Sequence, residues 1–138
     1  NIDKGSKPIN GVMEFLKWAK AKNISMAVCT NKQERLAVDL LKKLRMYEYF
    51  EYVAGSDTFP FNKPDPRHLT DVVEIIQGDL KKTIMVGDSE VDGMSAENAK
   101  IPFVLVKDGY TEKSTKEIKH DELIEDFKNF DKIVEKYL

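Results

Sequence analysis

The stretch TIMVGDSEVDG, residues 83–93, constrains the fold of this chain more than any other. A β-prone, nearly all-apolar segment at 83–86 runs into a glycine and an acidic turn, and a helical pattern opens near Glu90. This order predicts a buried strand with Asp88 at its carboxyl end and Asp92 about one helical turn further on. In open α/β sheets, ligands bind beyond the carboxyl ends of the strands. Two carboxylates there suit Mg²⁺, which takes oxygen ligands and commonly shares them with a phosphate.

The rest of the chain alternates helical and strand-like patterns of ordinary length. Apolar periodicity and turn residues predict helices at 8–20, 33–44, 66–77, 90–98 and 121–138, and strands at 24–29, 52–54, 83–86 and 103–106. Such alternation predicts parallel β-α-β units with right-handed crossovers, and therefore a doubly wound, Rossmann-like α/β sheet. The last helix is expected to place five apolar side chains along one face, namely Leu123, Phe127, Phe130, Val134 and Tyr137.

Composition narrows the class of protein. The chain has 138 residues, 41% hydrophobic and 33% charged, which fits one soluble domain. Its 22 basic and 24 acidic residues give a net charge of −2, spread along the chain, so neither nucleic acid nor a membrane surface is an expected partner. The single cysteine, Cys29, cannot form an internal disulfide and is expected to be a buried apolar residue. A cytoplasmic location is expected.

The predicted strand ends bring several polar groups to one crevice. Thr30 and the backbone N–H groups of Asn31 and Lys32 lie near the start of a helix, where unpaired donors favour an anion such as phosphate. Lys63 follows a loop and adds a positive charge that can neutralise phosphate oxygens. In this arrangement Asp88 would ligate the metal, while Asp92 would not touch the metal but would orient a metal-bound water or the loop.

Three of these motifs together resemble those of a known protein family. The order Thr30-Asn31, Lys63-Pro64-Asp65-Pro66 and Gly87-Asp88-Ser89-x-x-Asp92 resembles the second, third and fourth motifs of the haloacid dehalogenase (HAD) superfamily. More narrowly, VCTNK at 28–32 and MVGDS at 85–89 look like the phosphoglycolate phosphatase branch. The resemblance extends over roughly residues 7–110. Three motifs in the right order are far more specific than any one of them.

The resemblance implies a magnesium-dependent hydrolase of small phosphorylated metabolites, with Thr30 and Lys63 as catalytic residues. In such enzymes an aspartate at the tip of the first strand forms an aspartyl-phosphate, and a second aspartate is the general acid and base. The sequence contains no DxDGT motif to supply these two, and Asp3 does not end an apolar strand. The helical cap is not found either. Residues 1–138 are therefore expected to be the C-terminal part of a HAD-like core, with poor metal binding and no activity alone.

In the family's sheet, the first strand lies between the strands that end at Cys29 and at Asp88. Without it these two strands would expose unpaired backbone groups, which is costly. The sequence leaves three ways to complete the sheet. The favoured one is a longer protein that supplies the missing strand. The others are direct pairing of the two strands and self-association through the unpaired region.

Each site residue also has an ordinary structural interpretation. Thr30-Asn31 and Asp88 could be helix caps, and Lys63 a solvated loop lysine. Their joint occurrence at successive strand ends favours a phosphatase site. A signalling receiver domain would present its acids first and its lysine last, which is the reverse of the order here. A non-catalytic binding module with the HAD fold stays the alternative function. His68 and His120 are predicted to be solvent-facing.

Overall fold

The computed structural model describes residues 10–107 and 118–138. Five helices and five strands are found in these two ranges. In chain order they are α1 Val12–Ala21, β1 Ala27–Cys29, α2 Glu34–Lys43, β2 Tyr52–Ala54, α3 Arg67–Ile75, β3 Met85–Gly87, α4 Glu90–Ala99, β4 Phe103–Val106, β5 Glu122–Ile124 and α5 Phe130–Tyr137. Short 3₁₀ turns lie at Tyr47–Tyr49 and Leu80–Lys82. The predicted helix start at Pro8, and Asp3, fall outside the described residues.

The strands form two separate parallel sheets. One contains β1 and β2, and the other has the order β3-β4-β5. The predicted α/β class is confirmed, and the strands within each sheet are parallel, as expected. Within the described ranges β1 and β3 are not hydrogen-bonded to each other. The direct pairing of these strands that the sequence left open is therefore not what the structure shows there.

Burial is concentrated around β4, the central strand of the larger sheet. Helices α1 and α5 cover one face of β4, where Val104 and Val106 pack with Phe130 and Val134. Helix α4 covers the other face, where Ala96 and Ile118 pack with Phe103 and Leu105. As a result, all four β4 residues are buried. A smaller cluster of Ala37, Leu41 and Val53 joins α2 to β2.

The C-terminal segment differs from its prediction. The single helix expected over 121–138 is wrong, because residues Glu122–Ile124 form β5 and only Phe130–Tyr137 are helical. In β5 the side chains alternate, so Ile124 is buried while Leu123 is 44% exposed. Pairing of β5 with β4 satisfies its backbone groups, and this gain competes with the helical periodicity of the apolar residues.

Several helices and strands begin or end at residues other than those predicted. Helix α4 stops where Lys100 takes a left-handed conformation with φ of 59°, a place where glycine is the usual residue. Helix α3 ends at Ile75, before Gln77 takes the same conformation at φ 59°, so the predicted end at Gln77 is two residues late. Strand β1 begins at Ala27 rather than at Ile24.

Helix α2 buries Ala37 and Leu41, while Leu36 is 40% exposed. On α1, Trp18 is half-buried against the core around β4. In the described part of the chain, no helix has the length and apolar character that crossing a lipid bilayer requires.

Candidate functional site

A cleft of about 300 Å³ lies at the carboxyl ends of β1 and β3. Its lining combines strand residues with the polar tips that follow them: Cys29, Thr30, Lys63, Met85, Val86, Gly87, Asp88, Asp92 and Val106. The structure thus brings together four of the five side chains that the sequence singled out. They come from the turn after β1, the loop before α3 and the β3–α4 junction. The cleft also separates the two sheets, because β1 and β3 form its opposite sides.

Lys63 is the cation of the cleft, and it is held by Asp92. The Lys63 ammonium donates to Asp92 Oδ1 in an ion pair whose side chains are only 8% and 11% exposed. A lysine and a carboxylate are rarely buried unless they are paired in this way. The interpretation of Lys63 as a solvated loop lysine is therefore wrong. The ammonium keeps further N–H donors, so it can bind an anion in addition to Asp92.

The β3–α4 junction places Asp88 and Asp92 in different environments. Ser89, not Asp88, caps α4, because its hydroxyl oxygen accepts the N–H of Asp92 at 3.3 Å. Asp92 Oδ2 accepts the backbone N–H of Asp88 at 3.2 Å. Gly87 makes this approach feasible, since a Cβ there would lie 2.6 Å from Asp92 Cβ and Cγ. Asp88 is thereby left as a lining residue of the cleft rather than a helix cap.

The turn after β1 positions Thr30 and Asn31. The Thr30 hydroxyl oxygen accepts the N–H of Lys32 at 3.1 Å, and its own proton stays available as a donor. Asn31 binds the backbone of Lys63 on both sides, donating from Nδ2 to its carbonyl at 3.1 Å and accepting its N–H on Oδ1 at 3.2 Å. Since α2 begins only at Glu34, these residues precede the helix instead of occupying its first turn.

The loop after β2 contains contacts that the sequence did not reveal. Asp57 Oδ1 accepts the N–H of Glu34 at 2.8 Å and so caps α2, whose own N-cap residue makes no such bond. Thr58 Oγ1 donates to Glu34 Oε1 at 2.7 Å and accepts the N–H of Gly55 at 2.7 Å. Asp57 lies 23 residues from its partner. A local capping pattern could not have identified it, because such patterns are read within one helical turn.

His68 and Cys29 are neighbours, with Cys29 lining the cleft and its Sγ 3.9 Å from the carbonyl oxygen of His68. His68 is fully buried, so its prediction as a surface residue is wrong. It lies in the first turn of α3, where its ring contacts Gly55 and Phe59. Cys29 is half-buried rather than fully buried as predicted, yet burial raises the pKa of its thiol to about 12, which keeps it neutral. His120 is half-buried, with Nδ1 2.7 Å from the carbonyl of Ile118, so its prediction as a solvated residue is also wrong.

The residues of the cleft fit part of a magnesium site. Among residues 10–107 and 118–138, no three His, Cys, Asp or Glu side chains converge as a metal-binding group. Mg²⁺, however, is commonly bound by one or two carboxylates together with waters and substrate phosphate. Asp88 lines the cleft and is a suitable carboxylate, whereas Asp92 is already engaged by Lys63. The remaining ligands would have to come from phosphate, water or other residues.

Comparison with known proteins finds close relatives over most of the chain. Residues 1–106 match the model of the haloacid dehalogenase-like hydrolases. A phosphoglycolate phosphatase of Agrobacterium fabrum is 44% identical over 122 residues, which cover 88% of this chain and 52% of that protein. A phosphoglycolate phosphatase of Mesorhizobium japonicum is 39% identical, covering 92% of this chain and 56% of the relative. The chain thus spans about half the length of the relatives it matches.

The fold is also similar to that of solved structures. The crystal structure of a predicted phosphoglycolate phosphatase from Haemophilus somnus superposes with a TM-score of 0.85 at 27% identity, covering 91% of this chain and 56% of that one. A HAD-superfamily hydrolase of subfamily IA from Geobacter sulfurreducens superposes with a TM-score of 0.77, also at 27% identity, and covers 91% of this chain and 60% of that one. The cleft, its motifs and these matches lead to one conclusion: the chain belongs to the haloacid dehalogenase-like hydrolase family.

Proposed function

We propose that the protein containing this chain is a magnesium-dependent phosphatase of small phosphomonoesters, with phosphoglycolate as the first candidate substrate. The observation that carries the proposal is the nearly buried Lys63–Asp92 ion pair, which shares one cleft with Asp88 and Thr30. A buried ammonium beside a hydroxyl donor and a carboxylate is suited to a phosphate on a metal ion. Relatives named phosphoglycolate phosphatase support the choice of substrate.

In this proposal Thr30, Asn31 and Lys63 bind the phosphate group. The Thr30 hydroxyl donates to one phosphate oxygen while its own oxygen stays bound to the Lys32 N–H. The backbone N–H of Asn31 is the second donor, and the Asn31 side chain fixes the backbone of Lys63. Lys63 supplies the positive charge that opposes charge developing on the transferring phosphoryl group, so Thr30 and Lys63 act as catalytic residues.

Asp88 is the proposed ligand of Mg²⁺. When bound, the ion would neutralise phosphate oxygens and orient the phosphate in the cleft. Asp92 can position the groups of the cleft without touching the metal. Its Oδ1 holds the Lys63 ammonium and its Oδ2 holds the N–H of Asp88, so it fixes the cation and the proposed metal ligand relative to each other.

We further propose that residues 1–138 are the C-terminal part of a longer HAD core, whose additional strand lies between β1 and β3. An aspartate at the tip of that strand would attack phosphorus while the bond from phosphorus to the alcohol oxygen breaks. A second aspartate would give its proton to the departing alcohol. Water would then hydrolyse the aspartyl-phosphate to inorganic phosphate and regenerate the carboxylate. Self-association across β1 and β3 is the alternative way to cover those edges.

The proposal is tested with the protein as its gene encodes it. Hydrolysis of p-nitrophenyl phosphate and of phosphoglycolate is measured with Mg²⁺ and with EDTA, for the wild type and for Asp88→Asn. The matched control is Asp39→Asn, which changes an exposed carboxylate on α2. We expect turnover that requires Mg²⁺, disappears in Asp88→Asn and is unchanged in Asp39→Asn. A folded wild type without metal-dependent turnover would instead favour a non-catalytic binding module.

A further inference from the structure

His68 is a buried histidine that has no role in the proposed phosphatase chemistry. Its side chain is fully buried, and Nε2 lies 3.1 Å from the carbonyl oxygen of Gly55. Because a carbonyl oxygen can only accept, Nε2 must carry the proton of the neutral ring. The ring also packs edge-on against Phe59, with centroids 5.6 Å apart. These contacts fix the tautomer and the orientation of the imidazole.

The position of His68 costs stability, which suggests that it is not there only to fill space. Its second nitrogen, Nδ1, is buried and has no hydrogen-bond partner among residues 10–107 and 118–138. An apolar side chain of similar volume would fill the same space without burying an unsatisfied acceptor. What an apolar residue cannot supply is the hydrogen bond from Nε2 to Gly55.

Gly55 transmits this contact to the phosphate-binding turn. Its neighbour Ser56 donates its N–H to the carbonyl of Lys32 at 2.7 Å. The two backbones approach so closely that a Cβ on Gly55 would lie 2.6 Å from the same carbonyl oxygen. The loop after β2 therefore lies directly against the turn that contains Thr30. His68 attaches α3, and the Lys63 loop that precedes it, to this pair of loops.

We propose that His68 is a positioning residue, whose neutral ring sets the distance between Lys63 and Thr30 by holding α3 to the Gly55 carbonyl. This inference rests on the proposed phosphatase function. The neutral form is also the one that its surroundings favour. Burial lowers the pKa of His68, and the nearby Lys63 ammonium lowers it further, while the Gly55 hydrogen bond and Asp71 act in the opposite direction.

The kinetic test compares three variants of the protein as its gene encodes it. His68→Leu removes the donor, and His68→Gln keeps an N–H donor at about the reach of Nε2. Val72→Ala is the control, because it weakens the same helix at a side chain that is 2% exposed. We expect kcat to fall about 10- to 100-fold in His68→Leu, with a smaller change in KM, and to recover largely in His68→Gln. Val72→Ala should lose stability at nearly unchanged kcat.

Equal kcat in His68→Leu and His68→Gln, or a loss in Val72→Ala as large as that in His68→Leu, would overturn the positioning role. Nitrogen NMR of the wild type supplies a readout that does not depend on activity. His68 should show the neutral Nε2–H tautomer. His120 serves as the internal reference with the opposite tautomer, since its Nδ1 lies 2.7 Å from the Ile118 carbonyl.

Backbone NMR separates this inference from the proposed function. We expect the amide signals of Asn31 and Lys63 to shift in His68→Leu and to stay in place in Val72→Ala. If these shifts occur in a protein that hydrolyses no phosphomonoester, the phosphatase function fails while the structural link through His68 holds. If the wild type is active and the two amides do not move in His68→Leu, the link itself is refuted.

Discussion

Val104 and Val28 are the same residue type on parallel strands, yet their surroundings differ sharply. Val104 is completely buried at the centre of β4, which has a strand on each side and helices on both faces. Val28, on β1, is only half-buried, and β1 has a single partner among the described residues. Strand β3 resembles β1 in both respects. For β1, β3 and β4, burial follows the number of neighbouring strands, whereas β2 has one described partner and buries Val53 against α2.

The less buried strands are also the ones that carry the site. Thr30 follows β1 and Asp88 follows β3, on opposite sides of the same cleft. Catalytic groups often lie in the less densely packed parts of a structure, because the substrate must be able to reach them. Within the described ranges, the facing edges of β1 and β3 are not paired with each other, and the cleft lies between them. A strand that entered the gap would complete the sheet and the site together, which ties the stability of the cleft to its activity.

The largest expected effect is the loss of the cleft cation. Lys63→Ala leaves the Asp92 carboxylate buried without its ion-pair partner. We expect the free energy of unfolding to fall by about 3 kcal/mol, because removing one member of a buried pair strands the other charge. Turnover should fall about 10²–10³-fold, since the role we propose for Lys63 is to stabilise the charge of the transition state. Urea unfolding and steady-state kinetics measure the two effects.

The control for this change is Lys82→Ala, which removes an exposed lysine from the 3₁₀ turn before β3. It should leave both stability and turnover within error of the wild type. A Lys63→Ala protein as stable as Lys82→Ala would contradict the buried ion pair. That result would mean that Lys63 behaves like a lysine on an ordinary solvated surface.

Gly87→Ala should act on the same pair without changing a charge. The new Cβ would overlap the Asp92 side chain and displace its carboxylate from Lys63 and from the Asp88 N–H. We expect about a 10²-fold loss of turnover, the scale associated with misplacing a catalytic group by about 1 Å. Gly78→Ala is the matched control, because the tightest contact of its Cβ would be with the flexible Val73 side chain, at 3.1 Å, and its other contacts would be ordinary ones at 3.5 Å or more. Similar turnover for the two variants would show that the glycine does not set the geometry of the cleft.

The comparison of strands can be tested directly with one substitution at two positions. Val104→Ala should lower the free energy of unfolding by about 2–3 kcal/mol, because it removes buried methyl groups and leaves a cavity that cannot collapse. Val28→Ala should cost about 1 kcal/mol, because its surroundings are half-exposed. Thermal and urea unfolding of both variants measure the difference. Equal losses would mean that β1 is as well packed as β4 and would refute the contrast drawn here.

The sequence predicted those parts of the fold that depend on local patterns. Apolar runs ending in polar turns located β2 and β4 within their observed bounds, and placed Thr30 and Asp88 at strand ends. Lys63 was placed in the same crevice from the parallel arrangement alone, and the structure agrees. This succeeded because strand direction determines which loops meet, whatever the details of the packing.

The parts that were missed depend on partners far away in the sequence. Strand β5 exists because β4 offers it a free edge, which the helical spacing of Leu123 and Phe127 cannot reveal. Asp57 caps a helix 23 residues away, and His68 reaches a carbonyl 13 residues away. Each of these polar contacts is made through tertiary structure. A prediction from local periodicity had no information about it.

The smallest expected effect concerns acid stability, and it comes from His68 rather than from the cleft. The pKa of His68 is lowered in the folded protein from an ordinary value of 6.5, chiefly by burial. Below about pH 6.5 the unfolded chain therefore binds a proton that the folded protein does not, so stability falls as the pH falls. His68→Gln has no such proton to gain. We expect the stability difference between wild type and His68→Gln, measured by urea unfolding, to shift in favour of the variant between pH 7.5 and pH 5.5. The carboxylates are common to both proteins and cancel in this difference, so a pH-independent difference would mean that His68 titrates alike in the folded and unfolded states.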